Sequence, residues 1–330
     1  MAISSVLGSS ALLPAGLGFR NVLINGAMTV YQRNASSTTS TASSFACDRW
    51  NNFRGGAVSG ITVSRQTAGL TGFQYCSRIQ RDSGNTATNA LYFVQNVESI
   101  NSIPLAGKQV TLSFWARAGA NYSASSGALR SSVEYATSTD SNYYSIGDGS
   151  STTVVSQNNT LTTTWQYFSM PATIAASQTQ VFVGFKFTPV GTAGAADYFE
   201  ITGVQLEQNL QPTPFEQRPI GTELALCQRY FAKLTGGYWT TAQCLASNAG
   251  YFVVNLPTDM RIAPTGVITT GQFVALDAGG VGRGITIAYG DGRTNRIGFS
   301  FSAGYNLTAG NAALIFSSGT CTIETTGVEL

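Results

Sequence analysis

The chain of 330 residues carries 18 Lys and Arg against 16 Asp and Glu, a net charge of +2, and no histidine. Charged residues make up 10% of it, where a soluble chain ordinarily has about a quarter. Charge this sparse and dispersed excludes a phosphate-tracking nucleic-acid surface. The missing imidazole removes the commonest general base and zinc ligand, and with them Ser-His-Asp and Cys-His catalysis.

The length allows two domains with real cores. Hydroxyls and amides must supply solubility, and the low surface charge lowers repulsion between copies, which favours an oligomer. No run approaches the roughly 18 apolar residues of a membrane span, so no membrane insertion is expected. Residues 1–20 are small and apolar, broken by Pro14, Gly16 and Gly18, with no Lys or Arg before Arg20. Without a basic leader they read as part of the mature chain, docked on something else.

From Asn21 the sequence "NVLINGAMTVYQR" sets Asn25-Gly26 between β-branched residues, a hairpin signal. "FACDRWNNF" (Phe45 to Phe53) alternates apolar and polar residues. The clearest strand is "KQVTLSFWARA", with Val110, Leu112, Phe114 and Ala116 on one face and Thr111, Ser113, Trp115 and Arg117 on the other. "TWQYFSM" and "QVFVGFKF" alternate likewise, the second with Val181, Val183, Phe185 and Phe187 inward. In "DYFEITGVQLE" a bulge at Gly203 lets Val204 and Leu206 point the same way as Phe199 and Ile201. Pro212, Pro214 and Pro219 then stop the sheet. A short helix follows, with Thr222 as N-cap, Glu223 favoured by the dipole, and Leu226 and Tyr230 sharing its packed face. The rest is strands and turns again.

These elements predict an all-β chain: a jelly-roll β-sandwich over 21–211, a Pro-rich, helical connector over 212–228, and a smaller β-domain over 229–330. Cys47, Cys76, Cys227, Cys244 and Cys321 are odd in number and lack C-x-x-C spacing. They read as buried free thiols made in a reducing cytoplasm, with a Cys47–Cys76 disulfide as the alternative.

Little in the chain suggests chemistry. "GGVGRG" lies among strands and is neither a P-loop nor a dinucleotide fingerprint. A paired-carboxylate glycosidase would draw on Asp48, Asp82, Glu98, Glu134, Asp140, Asp148, Asp197 and Glu200, but Asp48 reads better as the partner of Arg49, holding a loop against a buried Trp50. Carbohydrate binding suits the composition: aromatic rings take the C–H face of a sugar while amides, hydroxyls and carboxylates meet its hydroxyls. "VEYATSTDSNYYSIGDG" offers such a set in Tyr135, Asp140, Asn142, Tyr143, Tyr144 and Asp148. Tyr238 and Trp239 read as core or subunit interface.

"VTLSFWARA", "LTTTWQYFSM", "VFVGFKF" and "YFEITGVQLE" in this order look like a carbohydrate-binding-module jelly roll. "NVLINGAMTVYQRN", "DRWNNF", "PTPFEQRPIGTELALCQRYF" and "LPTDMRIAPT" together resemble the tail fibre and tail-tip structural proteins of tailed bacteriophages. The likeness spans roughly residues 21 to 265. It implies a homotrimer in the virion tail, assembled in the host cytoplasm. Residues 1–20 would attach it to other tail proteins, and it would bind host cell-surface polysaccharide without catalysis. A head fibre, decoration or collar protein is the alternative, and a polysaccharide depolymerase a further one. Relatives often carry an acidic residue after the "NG", and many jelly-roll modules hold a structural calcium near their first and last strands. Ala27 stands at that position here, with Asp197 and Glu200 near the other end, so calcium is not supported and no cofactor is expected.

Overall fold

The computed structural model describes residues 19–33, 36–39, 44–57, 59–141, 151–276, 282–304 and 307–329. In chain order the strands before residue 208 are β1 (Ser36–Thr39), β2 (Asn51–Arg54), β3 (Ile61–Leu70), β4 (Phe73–Arg81), β5 (Leu91–Asn96), β6 (Gln109–Ala118), β7 (Ala124–Ala136), β8 (Thr152–Thr160), β9 (Gln166–Thr173), β10 (Gln180–Pro189) and β11 (Tyr198–Glu207). A single helical turn, α1 (Ser99–Ser102), follows β5. One sheet, sheet A, has the order β1-β3-β4-β11-β6-β9, and the other, sheet B, the order β2-β5-β10-β7-β8. The connector helix α2 (Ile220–Gln228) leads into β12 (Lys233–Ala246), β13 (Ala249–Asn255), β14 (Gly266–Leu276), β15 (Gly282–Arg293), β16 (Arg296–Ala303) and β17 (Ala312–Thr326). These six close into a barrel in the order β12-β13-β16-β15-β14-β17. The chain is thus all-β, a sandwich followed by a barrel.

Period-two alternation builds the sandwich core. Val110, Leu112, Phe114 and Ala116 of β6 meet Val181, Val183, Phe185 and Phe187 of β10, all without solvent exposure. Each fully buried side chain of this size contributes about 1.5–3 kcal/mol. Phe114 and Phe185 pack edge to face at 4.9 Å. The bulge expected in β11 is present: its register against β6 shifts between Thr202 and Gln205, and Gly203 sits at φ +62°. Phe199, Ile201, Val204 and Leu206 are consequently all buried. The five cysteines are free and buried, and no Cys47–Cys76 disulfide forms.

Three expectations about local backbone structure are corrected. "NVLINGAMTVYQR" is not a hairpin, because side-chain amides replace the ladder. Asn25, at φ +58°, accepts from the backbone of Thr29 and Val30 at 2.9 and 3.0 Å and donates to the carbonyls of Val30 and Asp48. Asn21 does the same beside β11, taking Leu23 and Leu206 N–H groups and donating to Val204. Gly26 lies so close to the Val204 carbonyl that a Cβ would collide with it. In "FACDRWNNF" only Asn51–Arg54 is strand; Arg49 turns at φ +70°, and residues Ala46 to Phe53 are buried on both sides.

The third concerns α2. It starts at Ile220 with Pro219 as N-cap, so Thr222 lies inside it. Its buried residues are Glu223 and Cys227, whereas Leu226 is only half-buried; Tyr230 is buried as expected but lies past the end of the helix. Glu223 is held by more than the dipole, since its carboxylate accepts from Asn25 N–H and from Arg218.

Sandwich and barrel meet through charge. Arg33 and Arg49 converge on Glu329 at 2.9 and 3.0 Å. Their guanidiniums lie 3.5 Å from the ring centroids of Phe231 and Tyr230. Arg229 reaches Glu98 at 2.8 Å, and the Tyr230 hydroxyl donates to the same carboxylate. Arg261 stands 3.6 Å from Asp140. Asp48 pairs with Arg33, at 3.7 Å, and not with its neighbour Arg49 as expected. The turn at Arg49 carries its side chain instead to Glu329 and the Asn96 carbonyl.

Two predictions follow from this junction. Cys227→Asp should cost ~3 kcal/mol or more through a buried unpaired charge, while Leu226→Asp costs under ~1 kcal/mol; chemical denaturation of both variants checks the order. Burial raises the Asp48 carboxyl from 3.8 to about 6, with Arg33 opposing. The folded chain therefore holds this proton where the unfolded chain has released it. The stabilisation is full below about 4 and is lost as pH rises to about 6. Asp48→Asn should remove that part of the stability slope between pH 4 and 6, read from melting temperatures across the window.

Candidate functional site

The side chains of sheet A that turn away from the core form a polar and aromatic face. Alternation puts Trp115 and Arg117 of β6 on it, and register aligns them with their neighbours. One row runs Ser64, Arg78, Glu200, Arg117 across β3, β4, β11 and β6. The next runs Thr202, Trp115, Tyr167 across β11, β6 and β9.

Glu200 is the pin of the first row. Its carboxylate is fully buried, taking Arg78 Nε and Nη2 on one oxygen at 2.8 and 2.6 Å and Arg117 Nε on the other at 2.6 Å. Both guanidiniums are about a quarter exposed, 25% and 28%. Each lies over a ring, Arg78 on Tyr198 at 3.9 Å and Arg117 on Trp165 at 4.7 Å. Trp165 is fixed in turn by its indole N–H, which donates to the Ala68 carbonyl at 2.9 Å. Trp115 and Tyr167 stand 5.2 Å apart at 52°, and Tyr167 is 42% exposed. On β4, two residues before Arg78, burial, and then the Glu200 charge, push the Cys76 thiol up to about 12, leaving it neutral. The face offers ring surface, guanidinium donors, hydroxyls and amides side by side. With both oxygens bound by arginines, Glu200 is a tether rather than a proton carrier.

The loop set chosen from sequence is placed elsewhere. Tyr135 pairs with Val181 on β10 and takes the core-facing side of sheet B. Asp140 accepts from Ser99 N–H at 2.8 Å and faces Arg261, so it serves the junction. Asn142, Tyr143, Tyr144 and Asp148 lie outside the described residues. That segment's flanks are fixed to sheet B: Ser141 exchanges hydrogen bonds with Gln180, and the Ser151 hydroxyl donates to Glu134. Trp239 packs against the barrel core beside Phe273, and Tyr238 is 79% exposed.

The described carboxylates weighed for a glycosidase are all held by neighbours. Asp82 accepts from Thr62, and Glu134 from Ser132 and Ser151. Asp197, fully buried, is paired with Arg81 at 2.8 Å and takes Ser123 N–H and hydroxyl. With Asp197 and Glu200 both spent on guanidiniums, these residues do not fit a calcium ion. No group of three or more His, Cys, Asp or Glu gathers among the described residues. Sequence reading passed over Trp115, Arg117, Tyr167 and Arg78 as site residues. Its signal for the first two was the polar side of "TLSFWARA".

No family profile matches the chain, and no curated protein matches it. Solved structures similar to it include a bacteriophage CBA120 tailspike enzymatically active domain, at 12% identity and TM-score 0.35 over 57% of this chain and 21% of that one. A CBM4 structure matches at 18% identity and TM-score 0.35, over 56% of this chain and 98% of its own. TmCBM61, solved with β-1,4-galactotriose, matches at 14% identity and TM-score 0.32, over 58% and 100%. The chain spans about a fifth of the tailspike chain it matches.

Glu200→Ala should free two arginines from one buried tether and cost ~2–4 kcal/mol, the partly exposed guanidiniums recovering some hydration. Denaturation of the variant checks this, and loss of the Trp115 and Trp165 fluorescence environment should accompany it.

Proposed function

We propose that the chain is a non-catalytic glycan-binding subunit of a phage tail fibre. In this reading it is a homotrimer in the virion tail, joined to other tail proteins through residues 1–20, that holds host surface polysaccharide on the outer face of sheet A. The observation that carries the glycan part is the Trp115–Tyr167 pair flanked by the ring-stacked guanidiniums of Arg78 and Arg117. A pyranose lays its C–H face on such rings and gives its hydroxyls to such donors. The virion part is supported by the likeness of "PFEQRP", "CQRYF" and their companions to tail fibre proteins. A second reading, a spacer in a head fibre, decoration or collar position, draws support from the ion-paired junction, which suits a stiff projection. Immunogold labelling of particles separates the two by where the label sits.

Binding to a host-polysaccharide array tests the adhesion reading. Trp115→Ala and Tyr167→Ala should each weaken binding by ~1–3 kcal/mol and leave sedimentation as a trimer unchanged. Loss of binding in Tyr143→Ala with Tyr144→Ala, but not in Tyr167→Ala, would move the site to the segment between β7 and β8. An array with no signal for the wild type would end the glycan reading.

A further inference from the structure

The outer face of sheet B sets two cations directly opposite each other, with no ion-pair partner among the described residues. One row crosses the sheet as Phe53, Tyr92, Lys186, Arg130 and Asn158, on β2, β5, β10, β7 and β8. Lys186 and Arg130 are therefore direct cross-strand partners, and both are half-buried. Like charges at directly opposed positions destabilise an antiparallel pair, and partial burial adds to the cost. Their side chains make no hydrogen bond or ion pair among the described residues.

This is unusual within the molecule. The other arginines of the sandwich and connector each donate a side-chain hydrogen bond: Arg54 to the Ser59 carbonyl, Arg65 to Thr29, Arg81 to Asp197, Arg218 to Leu23, and the rest in the pairs given above or, for Arg20, to Pro214. Glu134, the carboxylate on the same side of β7, is buried and already takes hydroxyl donors from Ser132 and Ser151. The Lys186 ammonium rests 5.5 Å from the Tyr92 ring centroid, and Tyr92 stacks on Phe53 at 4.6 Å and 6°. Burial, and then the Arg130 charge, lower the Lys186 pKa, with the Glu134 charge opposing in part. An anion placed between the two cations would relieve both effects.

We infer that Arg130 and Lys186 form an anion-binding site on the outer face of sheet B, taking a carboxylate or phosphate group of an acidic polysaccharide. The anion site stands on the cation pair alone; that its carrier is a glycan rests on the function proposed above. A fork-shaped guanidinium meets a carboxylate or phosphate through two N–H groups, and the ammonium adds a point charge. Asn158, exposed opposite Arg130, supplies a neutral donor for the rest of a sugar ring.

Calorimetric titration of the full chain with trigalacturonate, with galactotriose and with inorganic phosphate tests this. Trigalacturonate and phosphate should bind and weaken with added salt, and galactotriose should not share the site. Arg130→Gln and Lys186→Gln should each weaken anion binding roughly tenfold or more, as expected for losing one charge-assisted contact. Lys186→Gln should also melt at the same or a higher temperature, since it removes a repulsion. Phosphate binding without trigalacturonate binding would keep the anion site and end its glycan carrier. No binding of either anion by the wild type, or variants that bind both as the wild type does, would overturn the site. A lower melting temperature for Lys186→Gln would make the lysine a structural element and overturn it too.

Discussion

Half-buried guanidinium–carboxylate pairs set the relation between the two halves of this molecule. Glu329, near the end of the chain, receives Arg33 and Arg49 from the start of the sandwich. Glu98 receives Arg229 from the end of the connector. Pairs of this kind add little over well-packed apolar contacts, but losing one partner leaves the other charge half-buried and alone, which costs more than the pair contributes. They act by penalising every other arrangement. Two of the guanidiniums are also fixed in plane by stacking on Phe231 and Tyr230, which leaves them few alternative rotamers. A chain with 10% charged residues has put much of that charge where it orients one domain on the other.

The motifs that resemble tail fibre proteins acquire a common explanation. Asn25, Gln32, Arg33, Asp48, Arg49, Arg218, Glu223, Arg229, Tyr230 and Arg261 come from four separate stretches, and all of them serve the junction or the loops that form it. Such residues are hard to substitute singly, because each holds a polar group that would otherwise be buried without a partner. Loops on the open faces carry no such constraint.

That division also explains what could be read in advance. The strands of β6, β10 and β11 were legible because half-buried strands alternate, and the bulge was legible because a glycine interrupts an otherwise regular pattern. The segments around Asn25 and Arg49 were not. Their backbone groups are satisfied by side-chain amides and by distant carboxylates, which leave no local period. The packed side of α2 was misassigned for a related reason: Glu223 is buried because Asn25 and Arg218 reach it, and hydrophobicity says nothing of that. On the candidate site, the polar side of β6 was visible as alternation. Its meaning depended on which strands came to lie beside it, and β4 and β11 are separated from β6 by many residues in one direction or the other.

The face of sheet A is then a consequence of the same economy. Arg78 and Arg117 are each held by the Glu200 carboxylate and an aromatic ring beside them, which leaves their guanidiniums few alternative rotamers. Trp165 is anchored through its N–H, and Trp115 is wedged against Tyr167 and the bulge at Gly203. A Cβ at Gly203 would run into Phe73 and come within 3.2 Å of the Trp115 ring. The residue that turns β11 back toward the core therefore also makes room for the aromatic surface outside it. Core register and platform geometry are set by one glycine, and neither can change without the other.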